Sequence, residues 1–231
     1  MDNNSSNTTL IYDFEGKVLQ SRTYHNGGGT NQTTVINKTS YDIAGIRPVQ
    51  MYQNIDNATT DQLVAQYDYN ELGQVVDKKL HKTSSGAFLQ SVDYRYNIRG
   101  WLSSINNAGL NNDGVTNDDT NDYFGIELLY HRKDAGIGNS VRYDGSITAS
   151  KWNIYGSTGQ TNQRSYNYTY DKSDRVRAGT FKANNGTVWT KETNTLNESL
   201  NYDHNGNILN LQRNQADAVW ASQTIDNITY S

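Results

Sequence analysis

A five-residue phrase recurs along this chain: tyrosine, then aspartate or asparagine, two variable residues and glycine. The first four copies start 29, 28 and 27 residues apart, at Tyr12, Tyr41, Tyr69 and Tyr96, and a fifth starts at Tyr202. A degenerate copy starts at Tyr170 and has Asp174 in place of glycine. Self-similarity with a period of about 20–50 residues marks an array of supersecondary units. The phrase therefore predicts a repeat architecture.

Each phrase has the residues of a tight hairpin turn. Aspartate or asparagine at the first turn position accepts a hydrogen bond from the backbone two residues on, and glycine at the fourth tolerates positive φ. A type I turn followed by a left-handed residue is a common three-residue hairpin loop. We therefore predict turns closed by Asp13, Asp42, Asn70, Asn97 and Asp203, with tip glycines at Gly16, Gly45, Gly73, Gly100 and Gly206.

The residues beside the phrases have the periodicity of strands. Tyrosines alternate before two of the turns, at Tyr67 and Tyr69 and at Tyr94 and Tyr96, and spacing by two puts each pair on one face of a strand. A single hairpin is marginal in water, so repeated hairpins must pack side by side. The predicted fold class is all-β, with antiparallel hairpins stacked into a long, twisted, spiralling sheet. Only Ala216–Ser222 is a candidate for a short helix.

The pattern predicts four segments along one continuous repeat unit. Met1–Thr9 is polar and is predicted to be a disordered lead-in. Leu10–Ile105 is the regular run of hairpins. Asn106–Asp122 is rich in Asp and Asn, has no strand period, and is predicted to be a polar surface loop. Tyr123–Ser231 is predicted to contain further, more degenerate hairpins.

The composition argues against several classes of protein. The chain has no cysteine, which excludes disulfides, thiol catalysis and Cys-based metal sites. Its net charge of −4, with charges interspersed, disfavours nucleic-acid binding. No apolar run reaches the roughly 20 residues of a membrane helix, and no signal-peptide pattern starts the chain. Only 34% of the residues are hydrophobic, but 17 tyrosines supply apolar area, which favours a folded sheet with a thin core over disorder.

The Asp/Asn-rich loop is a candidate calcium site. Asn111, Asp113, Asn117 and Asp119 offer hard oxygen ligands around Gly114, a ligand set that suits Ca²⁺. The pattern begins with asparagine and lacks a closing bidentate glutamate, so a solvated, turn-rich insertion is the alternative. No other cofactor is predicted. The four histidines are too far apart in sequence to form a recognisable metal motif.

Together with the basic or polar residue and the valine or isoleucine that follow it, the phrase resembles the YD repeat of bacterial RHS proteins. The same repeat occurs in teneurins and in shell subunits of insecticidal toxin complexes. The resemblance covers roughly Leu10 to Arg213. The matching segments are Tyr12–Val18, Tyr69–Val75, Asn97–Asn106, Asp122–Tyr130 and Tyr202–Ile208.

This resemblance implies a sheet of hairpins that spirals into a hollow shell around a C-terminal toxin. The sequence contains no proline-rich core motif and no toxin-like domain, so the resemblance supports a segment of the shell wall and does not support self-cleavage. The implied function is a structural scaffold that encapsulates a toxin or effector carried elsewhere on a full-length polypeptide. The implied partners are the remainder of that polypeptide and its enclosed effector, and the implied location is secreted or at the cell surface.

A cell-surface module that binds carbohydrate or protein is the alternative. Four tryptophans could form a surface that stacks on sugars, although their place in strand-like segments favours packing within the sheet: Trp101, Trp152, Trp189 and Trp220. No nucleophile elbow, phosphate-binding loop or dinucleotide fingerprint is present, and the chain is predicted not to be an enzyme.

Overall fold

The computed structural model describes residues 5–27, 32–112, 114, 122–155, 163–184, 186–190, 196–216 and 222–230. Within these ranges the chain is all-β, and the predicted fold class of repeated antiparallel hairpins is confirmed. The described residues contain no helix long and apolar enough to cross a membrane. The strands are β1 (Ser5–Tyr12), β2 (Val18–Asn26), β3 (Gln32–Tyr41), β4 (Pro48–Ile55), β5 (Gln62–Tyr69), β6 (Val75–Lys82), β7 (Phe88–Tyr96), β8 (Leu102–Ile105), β9 (Phe124–Leu129), β10 (Ala149–Ile154), β11 (Arg164–Tyr170), β12 (Val176–Asn184), β13 (Trp189–Thr190), β14 (Glu198–Tyr202), β15 (Ile208–Ala216) and β16 (Ser222–Thr229).

The chain forms two compact units that divide between Asp93 and Tyr94, within β7. In the first unit, β1 to β7 are antiparallel, and each strand pairs with the next one along the chain. The register shifts immediately before each phrase turn of this unit, so that Tyr12 opposes Val18, Tyr41 opposes Pro48 and Tyr69 opposes Val75. Such a shift is a β-bulge, which increases the local twist. The phrase tyrosine therefore lies opposite the first residue of the strand that leaves the turn.

The first unit has a thin core. Leu63 and Ala65 are its buried hydrophobic side chains among the described residues. Asp77 is also buried, with 2% of its surface exposed, and it accepts hydrogen bonds from the Ser91 hydroxyl at 2.5 Å and from the Lys79 ammonium group at 2.8 Å. Because so little apolar area is buried, the backbone ladder and side-chain hydrogen bonds carry much of the stability of this unit.

The second unit continues the antiparallel order from β8 to β12 and then from β14 to β16, with β13 paired to β12. Its hydrophobic cluster is formed by Leu129, Ile137 and Ala149, and Trp189 packs against it. The segment between β9 and β10 is not a hairpin turn. It is an irregular excursion that contributes the fully buried Ile137. This segment interrupts the continuous run of hairpins that was predicted beyond Tyr123.

Part of the predicted disordered lead-in is a strand. Residues 5–9 of Met1–Thr9 lie in β1 and pair with β2 along their whole length. The hydroxyls of Thr8 and Thr23 lie 3.1 Å apart across this pair. Polar composition suggested disorder, but the β1 side chains are all exposed, so a strand held by its backbone needs no apolar residues there.

The predicted surface loop at Asn106–Asp122 is anchored in the protein at its start. Asn106 is buried and donates from Nδ2 to the carbonyl of Phe124 at 2.7 Å. Ala108 is fully buried, and its carbonyl accepts a hydrogen bond from Gln163 Nε2 at 2.8 Å. A surface location is therefore wrong for these first residues, because asparagine amides can satisfy buried backbone groups as well as bind water.

The short helix allowed at Ala216–Ser222 is wrong at both of its ends. Ala216 ends β15, Ser222 begins β16, and the two residues are partners in the register. The residues between them lie outside the described part of the chain.

We expect Gly73→Val to lower the free energy of unfolding by more than about 1 kcal/mol, because Gly73 has a φ of 80° and a β-branched residue is strained there. A β-carbon at this position would also displace the Arg47 guanidinium. Gly16→Val is the matched control, since its φ is 86° and a β-carbon meets no atom within 4 Å. Urea unfolding should show a loss for Gly16→Val and a larger loss for Gly73→Val. An unchanged midpoint for Gly73→Val would contradict the left-handed assignment.

Candidate functional site

The hairpin tips share one backbone geometry. At the third tip, the Asn70 amide donates to the carbonyl of Gln74 at 2.9 Å, and the Gly73 amide donates to the carbonyl of Asn70 at 2.9 Å. The equivalent pair of bonds closes the turns that begin at Asp13, Asn97 and Asp203, and also the turn at Asp42, which is one residue longer because the Asp42 amide donates to the carbonyl of Arg47. The tip glycines all have positive φ: Gly16 (86°), Gly45 (66°), Gly73 (80°), Gly100 (77°) and Gly206 (93°).

The side chain at the first turn position fixes the turn from within. Asp13 Oδ1 accepts hydrogen bonds from the amides of Glu15 at 2.9 Å and Lys17 at 2.8 Å. Asn97 Oδ1 accepts from the amides of Arg99 at 2.9 Å and Trp101 at 3.1 Å. Both arrangements need only one acceptor oxygen, which explains why either aspartate or asparagine can occupy this position of the phrase.

These bonds favour the charged form of the aspartates. The Ile46 amide donates to Asp42 Oδ1 at 2.7 Å and holds the pKa of the Asp42 carboxyl below its usual value. At the last tip, the side-chain amide of Asn207 donates to Asp203 at 2.8 Å and lowers the pKa of that carboxyl in the same way. The turns are therefore more stable when their aspartates are ionised.

Three phrase tyrosines join their hairpin to the preceding one. The tyrosine hydroxyl donates to the carbonyl of the first residue in the strand that leaves the preceding turn. These first residues begin β2, β4 and β12. The donor and acceptor pairs are Tyr41 with Val18 (3.0 Å), Tyr69 with Pro48 (2.7 Å) and Tyr202 with Val176 (2.8 Å). Partners 21 to 26 residues apart are thus held together.

A basic side chain reaches from the end of one turn to the next. The Arg175 guanidinium carbon lies 4.6 Å from the centroid of the Tyr202 ring, and Arg175 Nη1 donates to the carbonyl of Asp203 at 2.9 Å. Arg47 lies over Tyr69 in the same way, at 5.7 Å. An arginine above an aromatic face gains about 0.5–2 kcal/mol by a cation–π interaction.

We call this pair of contacts the tip latch. It consists of a hydrogen bond from the tyrosine hydroxyl to the preceding strand and of the basic side chain at the end of the preceding turn, which lies over the same tyrosine or its tip glycine. Lys17 takes the basic position over the second tip, where its Nζ lies 3.3 Å from a β-carbon built on Gly45. Burial raises the pKa of the Tyr69 hydroxyl, so this group stays protonated and able to donate.

Further latch and turn residues were not identified from the sequence. Tyr130 lies outside any phrase, yet its hydroxyl donates to the carbonyl of Leu102, the first residue of β8, at 3.0 Å. The turn between β6 and β7 is closed by Thr83 and Gly86 with the same backbone bonds, although no tyrosine precedes it. The degenerate copy closes like the others because Asp174 adopts a φ of 60°. Tyr130 could have been identified from the sequence because, like the phrase tyrosines, it stands where a strand-like segment ends, here Phe124–Leu129.

The calcium site stays a prediction. Asp113, Asn117 and Asp119 lie outside the described residues. Asn111 is described, and its amide nitrogen lies 3.4 Å from Asn107 Oδ1, to which it donates. Among the residues that the structure describes, no group of three acidic or histidine side chains is placed to hold a metal ion.

The described tryptophans pack within the fold. The Trp101 and Tyr130 rings are 5.3 Å apart, and Trp152 stacks on Tyr166 at 5.7 Å. Trp189 packs against the hydrophobic cluster of the second unit. These rings contribute apolar area to the fold. Trp220 lies outside the described residues, and carbohydrate binding stays an alternative prediction.

We expect Tyr69→Phe to lower the free energy of unfolding by about 0.5–1.5 kcal/mol, because it removes the hydrogen bond to the Pro48 carbonyl and keeps the ring. Tyr12→Phe is the matched control, because no tip latch involves Tyr12 among the described residues, and it should change stability by less than about 0.3 kcal/mol. Urea unfolding of both variants makes the comparison. Equal losses would show that the hydroxyl of Tyr69 contributes nothing specific.

We expect Asp42→Asn to reduce the acid sensitivity of the fold. A carboxyl with a lowered folded-state pKa stabilises the protein fully above the unfolded pKa of about 3.9, and this stability is lost as the pH falls through the folded value. Between about pH 5 and pH 2, the wild type should therefore lose more free energy of unfolding than Asp42→Asn. Asn70→Asp is the reciprocal variant and should gain acid sensitivity. Parallel pH profiles for all three proteins would refute this role of the turn carboxyl.

Comparison with solved structures finds similarity to Tc toxins. The chain is 14% identical to a chain of the Photorhabdus luminescens Tc holotoxin pore, with a TM-score of 0.38, over 97% of this chain and 13% of that one. For a TcdB2–TccC3 structure the identity is 14% and the TM-score 0.35, over 98% and 13% of the two chains. For a TcdB2–TccC3–Cdc42 structure they are 14% and 0.36, over 94% and 15%.

The chain thus spans only 13–15% of the length of these toxin chains. No protein-family model matches the chain, and no curated protein matches it. The identities and TM-scores are too low to assign a family or a function to this chain.

Proposed function

We propose that this chain is a wall segment of an RHS-type protein, and that the wall encapsulates a C-terminal toxin or effector carried elsewhere on a longer polypeptide. The observation that carries this proposal is the tip latch, which recurs within each of the two units. Consecutive hairpins are joined twice, once by the backbone ladder and once by the latch. Such an array suits a barrier, because each repeat is fixed to its neighbour as well as folded in itself.

The proposed mechanism is steric. Hydrogen-bonded strands lie about 4.8 Å apart, which is too close for a protein or a solvated peptide to pass between them. Opening a gap between two hairpins would break several backbone bonds and one tip latch together, at about 1 kcal/mol for each hydrogen bond. The wall would therefore separate an enclosed effector from proteases and from its targets until the whole assembly opens. This proposal requires no enzymatic activity of the chain itself.

The proposed partners follow from the same role. A wall segment works against the remaining wall of its own polypeptide and against the surface of its enclosed effector. We place such a protein at the cell surface or among secreted proteins, where an enclosed effector needs protection before delivery. The thin core of the first unit supports this proposal, since a sheet that is built as a wall has little interior of its own.

The test begins with the native polypeptide that carries this sequence, detected by immunoblot of cell and culture fractions. We expect a species of more than about a thousand residues, since a wall that closes around a domain needs many repeats. In that species, limited proteolysis should leave the C-terminal segment intact while the wall is folded.

A triple variant, Tyr41→Phe, Tyr69→Phe and Tyr202→Phe, removes three latch hydrogen bonds and should speed cleavage of the enclosed segment several-fold. Tyr24→Phe is the control and should leave the rate unchanged. A free species of only 231 residues, or a C-terminal segment as sensitive in the folded protein as in the denatured one, would reject the proposal.

A further inference from the structure

The first hairpin tip carries half of a tip latch. The hydroxyl of Tyr12 is bonded to no preceding strand in the described residues, and 52% of this side chain is exposed. A β-carbon on Gly16 would meet no atom within 4 Å, whereas Lys17 lies beside Gly45 and Arg175 lies 3.6 Å from the same point on Gly206. The tyrosine and the glycine are in place, and the described residues supply neither the preceding strand nor the basic side chain that complete other latches.

The strand that carries this half-latch has one unpaired edge in the described part of the chain. Strand β1 pairs with β2 on one side, and it is the end of the strand order. Edge strands are commonly protected by charged residues or proline, and Ser5–Tyr12 contains neither. Its outward backbone groups are therefore suited to the addition of another strand.

We propose that the outer edge of β1 binds a β-hairpin in which a basic residue directly follows the turn glycine. The strand leaving the turn of that hairpin pairs antiparallel with Ser5–Tyr12. The backbone carbonyl of its first residue accepts a hydrogen bond from the Tyr12 hydroxyl. A lysine or arginine directly after its turn glycine lies over Gly16. The inference rests on the proposed scaffold role, because it names the structure that extends the wall at this edge.

The geometry favours such a hairpin over a second copy of this chain. In every phrase latch, the strand beside the tyrosine runs away from a turn. Strand β1 runs toward its turn, and β16, the other end of the strand order, runs back toward the side of the Asp203 turn, since Thr229 pairs with Asn210. Antiparallel pairing of β1 with either strand of a second copy would place that copy's turn at the far end, away from Tyr12. The residue after Gly206 is also asparagine, which is not basic.

The probe is a synthetic hairpin with the sequence Ser6–His25, which presents Lys17 and the Val18 carbonyl. Ser6 and His25 are register partners, so Ser6→Cys and His25→Cys close the peptide with a disulfide. N-methylation of the outward amides of its first strand leaves only the second strand able to pair. Nuclear Overhauser effects establish that the peptide is folded before it is added to the isotope-labelled full chain.

We expect saturable chemical-shift changes in β1, and slower hydrogen exchange at those β1 amides that do not donate to β2. Tyr12→Phe in the chain should weaken binding about fivefold, as expected for one lost hydrogen bond. Lys17→Gln in the peptide should weaken it by up to about fivefold, because the positive charge that Lys17 places near Asp42 would be missing near Asp13. Tyr24→Phe in the chain is the control and should leave the affinity unchanged.

Three results would overturn the inference. The first is no shift in β1 with a folded peptide. The second is equal affinity for Tyr12→Phe and the unaltered chain, which would mean generic edge pairing. The third is self-association of the chain through β1 without peptide, which would make a second copy the occupant. If the peptide fails to bind while the full-length polypeptide still protects its C-terminal segment, the edge inference alone is rejected and the scaffold role stands.

Discussion

One side-chain hydrogen bond recurs between neighbouring hairpins of this protein, in addition to the backbone ladder: a tyrosine hydroxyl donates to the carbonyl of the first residue in the strand that leaves the preceding turn. Tyr69 and Pro48 show why the position matters. The bulge before the turn places the tyrosine opposite the start of its own outgoing strand, and its ring then extends sideways toward the neighbouring hairpin. The bond sits where a sheet would otherwise fray, at the ends of strands.

The same bond explains the composition. A sheet with a thin core cannot depend on leucine and isoleucine, and the first unit buries few of them. Tyrosine supplies apolar area from its ring and a donor from its hydroxyl, so one side chain serves both packing and coupling. The basic residue after the turn then covers that ring or tip from outside, as Arg175 covers Tyr202. The repeat phrase is thus a description of contacts between neighbouring hairpins as much as of the hairpin itself.

The all-β hairpin architecture could be predicted from the sequence because turn chemistry is local. An aspartate such as Asp13 bonds to amides within four residues, so its partners stand next to it in the printed sequence. The latch could not be predicted in this way, because its acceptor is a backbone carbonyl more than twenty residues away and carries no side-chain signature. The strand at residues 5–9 was missed because an exposed strand has no apolar alternation. The buried start of the Asn-rich loop was missed because the same amide side chain serves water and buried carbonyls equally well.

The excursion between β9 and β10 shows how much freedom the coupling leaves. Tyr130 lies at its start, and its hydroxyl donates to the carbonyl of Leu102. Ile147 lies near its end, and its carbonyl accepts a hydrogen bond from the Tyr170 hydroxyl at 2.5 Å. Both ends are therefore coupled to neighbouring strands, although a long folded segment replaces the short turn. What the array constrains is the position of strand ends, and the chain between them is free to lengthen. A repeat protein of this design can acquire new surface by insertion at a turn without loosening the sheet that bears it.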